Sequence, residues 1–176
     1  MREKKLYLTC KQNCPRKHFS KPDMSKATML SGKEAAEEVS QKLRDAIATL
    51  SVTPTLAIIQ VGGREDSSTY IRLKEKFASA VGVKTLHINL PSTSTETEVT
   101  SAIERLNGDA SVHGIIVQLP LDTVQPIDST TVINCIAPAK DVDGLTFTSC
   151  GQLTQGKALT RGNGHLPPTP LGNLLI

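Results

Sequence analysis

Tyr70 and Lys74 stand four residues apart in the stretch Ser67-Ser68-Thr69-Tyr70-Ile71-Arg72-Leu73-Lys74, so on a helix a phenol and an amine project from one face. A second stretch, Val117-Gln118-Leu119-Pro120-Leu121, ends the apolar run Gly114-Ile115-Ile116-Val117 with an uncharged amide and then a proline, which stops a strand. A phenol, an amine and an amide at one edge of a sheet form a proton-handling group. A lysine amine partly withdrawn from water relays protons near neutral pH, or holds a water or hydroxide against an electrophilic carbon. Gln118 does not titrate, but its carbonyl oxygen can orient the amine. The plainer alternative is a Gln that ends a buried strand by satisfying a loop amide. Asp143, in the loop Lys140-Asp141-Val142-Asp143-Gly144, adds a carboxylate able to accept two parallel hydrogen bonds, as an amino-pyrimidine edge donates. Asp141 fits better an Asp that closes a turn through its own backbone.

The Tyr-x-x-x-Lys pair alone is shared with short-chain dehydrogenases, where a Gly-rich nucleotide loop and a catalytic Ser lie well upstream. Nothing before Tyr70 has that form. Gly162-Asn163-Gly164 precedes His165-Leu166-Pro167-Pro168 rather than a helix, so it is assigned no cofactor role. Ser67 reads as a first-turn helix residue. Cys10 and Cys14 lack the second pair of ligands a zinc site needs, and no metal is expected.

Periodicity supplies the elements that must carry these groups. Ser31-Gly32-Lys33-Glu34 fits a capping box, and Ala36, Val39, Leu43, Ile47 and Leu50 follow at helical spacing until Pro54. Leu56 to Val61 reads as a buried strand, Gly62-Gly63 as a turn, and Asp66 to Val81 as a helix stopped by Gly82. A strand is expected over Thr85–Leu90. Thr95 and Glu98 cap a helix with an apolar face of Val99, Ile103 and Leu106, closed by Gly108. A third strand is expected from about His113 to Leu119, a short helix over Ser129–Ile136, and loop from Pro138 through Gly144. Strands alternating with helices predict an α/β fold with a parallel, doubly wound sheet, whose ligands sit beyond the carboxyl ends of the strands.

Composition restricts the function classes. A chain of 176 residues with 38% hydrophobic and 21% charged residues suits one soluble domain. Aromatics at 3%, with no Trp, argue against base stacking on single-stranded nucleic acid. The net charge of +3 is uneven: residues 1–23 carry a balance of +5, which leaves about −2 for the remainder and no basic face for nucleic acid. No apolar run approaches a membrane span. Cys10, Cys14, Cys135 and Cys150 form no disulfide framework, so free thiols in a reducing compartment are expected. The basic segment 1–28 lacks the apolar core of a secretory signal and reads as a disordered extension, with a mitochondrial transit peptide as the alternative and Met24 as a second possible start.

Taken together, these motifs resemble those of the methylenetetrahydrofolate dehydrogenase/cyclohydrolase family. The likeness rests on Leu30-Ser31-Gly32-Lys33-Glu34, Gln60-Val61-Gly62, Ser67-x-x-Tyr70-x-x-x-Lys74, Val112-His113-Gly114, Val117-Gln118-Leu119-Pro120-Leu121 and Lys140-Asp141-Val142-Asp143-Gly144-Leu145. It extends over roughly residues 29–176 and is strongest to the amino-terminal part of the family's eukaryotic cytoplasmic trifunctional members. The resemblance implies NADP-linked oxidation of 5,10-methylenetetrahydrofolate to the methenyl form, then hydrolysis to 10-formyltetrahydrofolate. It implies Lys74 as the central catalytic residue, Tyr70 stacking on the folate, Gln118 supporting the lysine and Asp143 binding the pterin. Tyr70, Ile71, Arg72, Leu73, Lys74, Val117, Gln118 and Leu119 match the family's substrate-binding stretches.

The family's Pro-Cys-Thr-Pro segment stands here as Pro167-Pro168-Thr169-Pro170, and residues 159–166 are more Gly-rich than usual. The resemblance further implies a catalytic domain over 29–170 and the start of a linker helix at 171–176, with the NADP-binding Rossmann domain missing and no cofactor-binding residue in this chain. A cytoplasmic catalytic-domain portion, homodimeric as in the family, is the expectation. A non-catalytic folate-binding or interaction protein is the alternative.

Overall fold

The computed structural model describes residues 31–155 and 167–168. The extension 1–28, Met24, Cys10, Cys14, Gly162–Gly164 and the helix start at 171–176 lie outside the described residues. The elements run α1 (Gly32–Ala48), β1 (Thr55–Val61), α2 (Glu65–Val81), β2 (Lys84–Leu90), α3 (Glu96–Gly108), β3 (Gly114–Val117), α4 (Ser129–Asn134) and α5 (Phe147–Thr154). The three strands form one parallel sheet in the order β2-β1-β3, the α/β arrangement that the alternating pattern predicts.

β1 is central because its side chains are apolar on both faces. Ala57, Ile59 and Val61 pack with Val99, Ile103 and Leu106 of α3, with Ile115 and Val117 of β3, and with Val132 of α4. Ile58, between them, points to the opposite face and is fully buried, as is Ile71 of α2. Each such isoleucine contributes about 1.5–3 kcal/mol by leaving water.

Local chemistry sets the helix ends. Thr95 accepts from the Glu98 amide while the Glu98 carboxylate accepts from the Thr95 amide, a complete capping box. Ser31 forms the first half of that motif at α1, accepting from the Glu34 amide at 3.3 Å. Gly82 ends α2 in the left-handed conformation, φ 89°, where a side chain would be strained.

Four details differ from the sequence expectation. β3 stops at Val117, because the Gln118 amide still donates to Ile59 O (2.8 Å) but the chain then turns away through a cis Leu119–Pro120 bond. Gly108 is the last residue of α3 rather than a left-handed stop; Asp109 caps it. The α1 stripe is shallow: Leu43 and Leu50 remain exposed, and the buried residue of that helix is Ser40. The segment expected to be loop holds a parallel bridge between Asp141 and Ile115, and α5 follows it. Thr146, which accepts from the Ser149 amide, was the legible signal for α5.

Candidate active site

α2 starts from the turn after β1 and brings Lys74 beside the end of β3. Lys74 Nζ donates to Gln118 Oε1 at 2.9 Å, and Gln118 Nε2 donates to Leu119 O at 2.8 Å. The amide is thus oriented by its neighbour's carbonyl and presents its oxygen to the amine. Both side chains are half-buried. Tyr70, one helical turn before Lys74, is 61% exposed, so its ring is available as a stacking surface.

Asp143 completes the group. It is half-buried, accepts no hydrogen bond from the described residues, and lies close enough to Lys74 to feel its charge. Burial pushes its carboxyl above the ordinary range; Lys74 opposes that rise and Asp141 adds to it. A carboxylate kept partly dry, with no donor among the described residues, is an acceptor in need of a ligand.

Asp141, two residues earlier, has the opposite environment. It is fully buried. Its oxygens accept from the Leu145 amide (3.2 Å) and the Thr146 amide (2.9 Å), closing the turn. Burial alone would raise its carboxyl, but hydrogen bonds from Ser149, Thr146 and Leu145 outweigh it and hold the group below the usual range. The turn reading of Asp141 and the ligand reading of Asp143 thus have distinct physical bases.

The other residues of the matched stretches are divided by the helix and strand periods. Ile71 is 1% exposed, and Val117 lies in the core cluster on the α3 side of the sheet. Leu119 packs against that same cluster. Arg72 and Leu73 are exposed, but Arg72 lines a separate polar hollow with Gln60, Glu75 and His87. Leu119, Pro120, Leu121, Ile127 and Ser129 line an open hollow of about 430 Å³ adjoining Gln118 in sequence. Ser67 is buried in the first turn of α2.

Sequence reading missed the groups that hold the site's supports. Asp122 Oδ2 accepts from the Gly63 amide at 3.1 Å and ties the segment after β3 to the turn after β1. Gln60 bridges Ser68 Oγ and His87 Nε2, each at 3.0 Å. Lys140 caps α3 from the loop that carries Asp143. Lys140 and Gln60 had a signal, their places in the Lys140–Gly144 and Gln60–Gly62 runs; the partners they take carry no local pattern.

The helix N-termini at the strand ends are poorly suited to a dinucleotide. The first turn of α2 carries Glu65 and Asp66, and that of α3 carries Glu96 and Glu98. Asp66 already accepts from the Ser67 amide, and its carboxyl is held down to about 2 by the hydrogen bond from Arg64 and then that from Ser67. A pyrophosphate needs such amides free and an unopposed positive end. The described residues therefore do not fit NADP. Among the described residues, no cluster of three or more His, Cys, Asp or Glu is placed to hold a metal ion, and no helix is long and apolar enough to cross a membrane.

Comparison with known proteins agrees with the α/β fold. The chain is 46% identical over 156 residues to the cytoplasmic C-1-tetrahydrofolate synthase of Mus musculus, covering 86% of this chain and 16% of that protein. It is 42% identical over 151 residues to the bifunctional protein FolD of Exiguobacterium sibiricum, covering 84% and 52%. Among solved structures, the bifunctional FolD methylenetetrahydrofolate dehydrogenase/cyclohydrolase of Campylobacter jejuni superposes with a TM-score of 0.76 at 35% identity, over 84% of this chain and 51% of that one. The Trypanosoma brucei enzyme, solved with NADP cofactor and inhibitor, gives 0.74 at 32% identity, over 86% and 52%. The chain thus spans about half the length of the solved relatives and a sixth of the mouse protein. Residues 30–143 match the description "Tetrahydrofolate dehydrogenase/cyclohydrolase, catalytic domain", and with a Lys–Gln–Asp group built on a doubly wound parallel sheet, the chain belongs to that family.

Proposed function

We propose that this domain, taken as residues 29–170, binds a tetrahydrofolate derivative beside Lys74 and supports hydrolysis of 5,10-methenyltetrahydrofolate to 10-formyltetrahydrofolate. The observation that carries the reading is the 2.9 Å hydrogen bond from Lys74 to Gln118, with Asp143 close enough to feel the same amine's charge and unpaired among the described residues. Asp143 accepts hydrogen bonds from the amino-pyrimidine edge of the pterin, and Tyr70 stacks on the folate. Lys74 holds a water against the bridging carbon and carries its proton. The water oxygen bonds to that carbon as Lys74 takes one of its protons, which discharges the cationic substrate. The bond from the carbon to N5 then breaks with its electron pair left on N5, and the oxygen's remaining proton goes to N5 as the formyl C=O forms. Gln118 keeps the amine pointed at the reacting carbon throughout.

The family's other step moves a hydride to a nicotinamide, which supplies the oxidant when NADP is bound. The described residues do not fit that cofactor. The names of the C-1-tetrahydrofolate synthase relatives place those proteins in the cytoplasm, and the same location is proposed for this one. Homodimerisation is the corresponding proposal for assembly.

The test is calorimetric titration of the 176-residue chain with 5,10-methenyltetrahydrofolate, with hydrolysis followed through loss of the methenyl absorbance. Binding with turnover above the spontaneous rate supports the reading. Binding without turnover marks a folate-binding module instead, and no binding refutes the reading outright.

A further inference from the structure

The carboxylate of Asp143, unpaired among the described residues, stands where it does because the segment before it is pinned at three successive residues. Lys140 is the first. Its Nζ donates to Leu106 O (2.8 Å), Asn107 O (2.9 Å) and Asp109 O (2.7 Å), the last carbonyls of α3 and its cap. An ammonium has three N–H donors, and here all three are committed to one helix end. That end carries the negative pole of the helix, so the cation also meets a favourable field. Asn107 strengthens the same junction: its side chain donates to Cys135 O (2.7 Å) and accepts from the Ala137 amide (2.9 Å). Asp141 is the second, buried and bridged to Ile115, whose amide donates to Lys140 O at 2.8 Å. Val142 is the third. It lies over Gly114, where an added β-carbon would fall 2.7 Å from Val142 Cγ1.

Only Asp143 in this run is left without a protein partner among the described residues, and it is the residue that feels the charge of Lys74. We infer that Lys140 is a positioning residue for ligand binding: by clamping the end of α3 it fixes the height of the loop and so the place of the Asp143 carboxylate beside Lys74. The inference deepens the folate reading and rests on it for the identity of the ligand, but the positioning itself is a property of the free chain. A merely structural lysine would lower stability when removed and leave Asp143 where it is.

The experiment uses the 176-residue chain with Lys140→Met, which keeps the aliphatic stem and removes all three donors. Should that variant fail to fold, Lys140→Gln, with two amide N–H donors, takes its place under the same criteria. The first readout is free of ligand: titration of the Asp143 carboxyl carbon by NMR. Asp143 is expected to titrate above the ordinary carboxylate range in the wild type and to fall toward it in the variant, because the loosened loop lets water in. An unchanged Asp143 titration overturns the inference. The second readout is the dissociation constant of 5-formyltetrahydrofolate in a double-mutant cycle with Asp143→Ala. Lys140→Met is expected to weaken binding about tenfold when Asp143 is present and less than about twofold when it is absent. Equal losses in both backgrounds would mean that Lys140 acts on the fold and not through Asp143, and would overturn the inference. A wild-type chain that does not bind the folate, with the Asp143 titration still shifted by Lys140→Met, refutes the folate reading and supports the positioning role.

Discussion

Replacing Asp143 with alanine separates function from stability in a way that few other substitutions in this chain would. The carboxylate has no protein donor among the described residues, and burial raises it above the ordinary value of 3.8. A bound pterin would supply the missing donors, and hydrogen bonds to a charged group contribute about 1.5–3 kcal/mol. Asp143→Ala is therefore expected to weaken folate binding by roughly ten- to a hundredfold. Its effect on stability has the opposite sign. A carboxyl whose folded pKa is raised holds its proton more tightly in the native state, so the native state loses stability as pH rises from 3.8 through that folded value. Wherever the carboxylate is ionised that cost is present, and alanine removes it. The variant should bind folate less well yet unfold at an equal or higher urea concentration. Asp141→Ala provides the contrast. Its folded pKa is lowered, so its contribution is complete above 3.8 and is lost as pH falls through the folded value. Removing it orphans the buried Thr146 amide and the part-buried Leu145 amide and should cost about 2–4 kcal/mol. The assays are calorimetric titration with 5-formyltetrahydrofolate and urea unfolding at pH 7. An unchanged dissociation constant for Asp143→Ala, or a stability loss matching that of Asp141→Ala, would refute the reasoning and make Asp143 another loop residue.

Lys74→Met keeps the stem and removes the amine that donates to Gln118; cyclohydrolase turnover should fall by at least about a hundredfold while folate still binds. Ordinary turnover in that variant would show the role to be misassigned. Gly62 has φ 78° and would place a β-carbon 2.6 Å from Asp122 Cβ, so Gly62→Ala should cost at least about 2 kcal/mol in urea unfolding. A wild-type midpoint would show that the strap between Asp122 and Gly63 yields freely.

The sequence determined the parallel α/β architecture because the signals for it are local. Thr95 and Glu98 carry a capping box within four residues, Gly82 stops α2 with its own backbone, and the apolar run of β1 declares itself buried. The likeness of the site to a known family was legible too, in Tyr70–Lys74, Gln118 and Asp143, because those residues sit in short runs of fixed order. Tertiary structure decided what spacing leaves open. Ile71 and Lys74 lie in one matched stretch, yet helical rotation buries the first in the core and turns the second to Gln118. Asp141 and Asp143 have the same side chain two residues apart. Donors from Leu145, Thr146 and Ser149 surround the first and none among the described residues reaches the second, which gives them opposite shifts; those donors come from the turn into α5 and its first residues. The clamp of Lys140 on the end of α3 spans more than thirty residues of chain. Such a contact depends on two elements docking, and neither carries a trace of it in its own pattern.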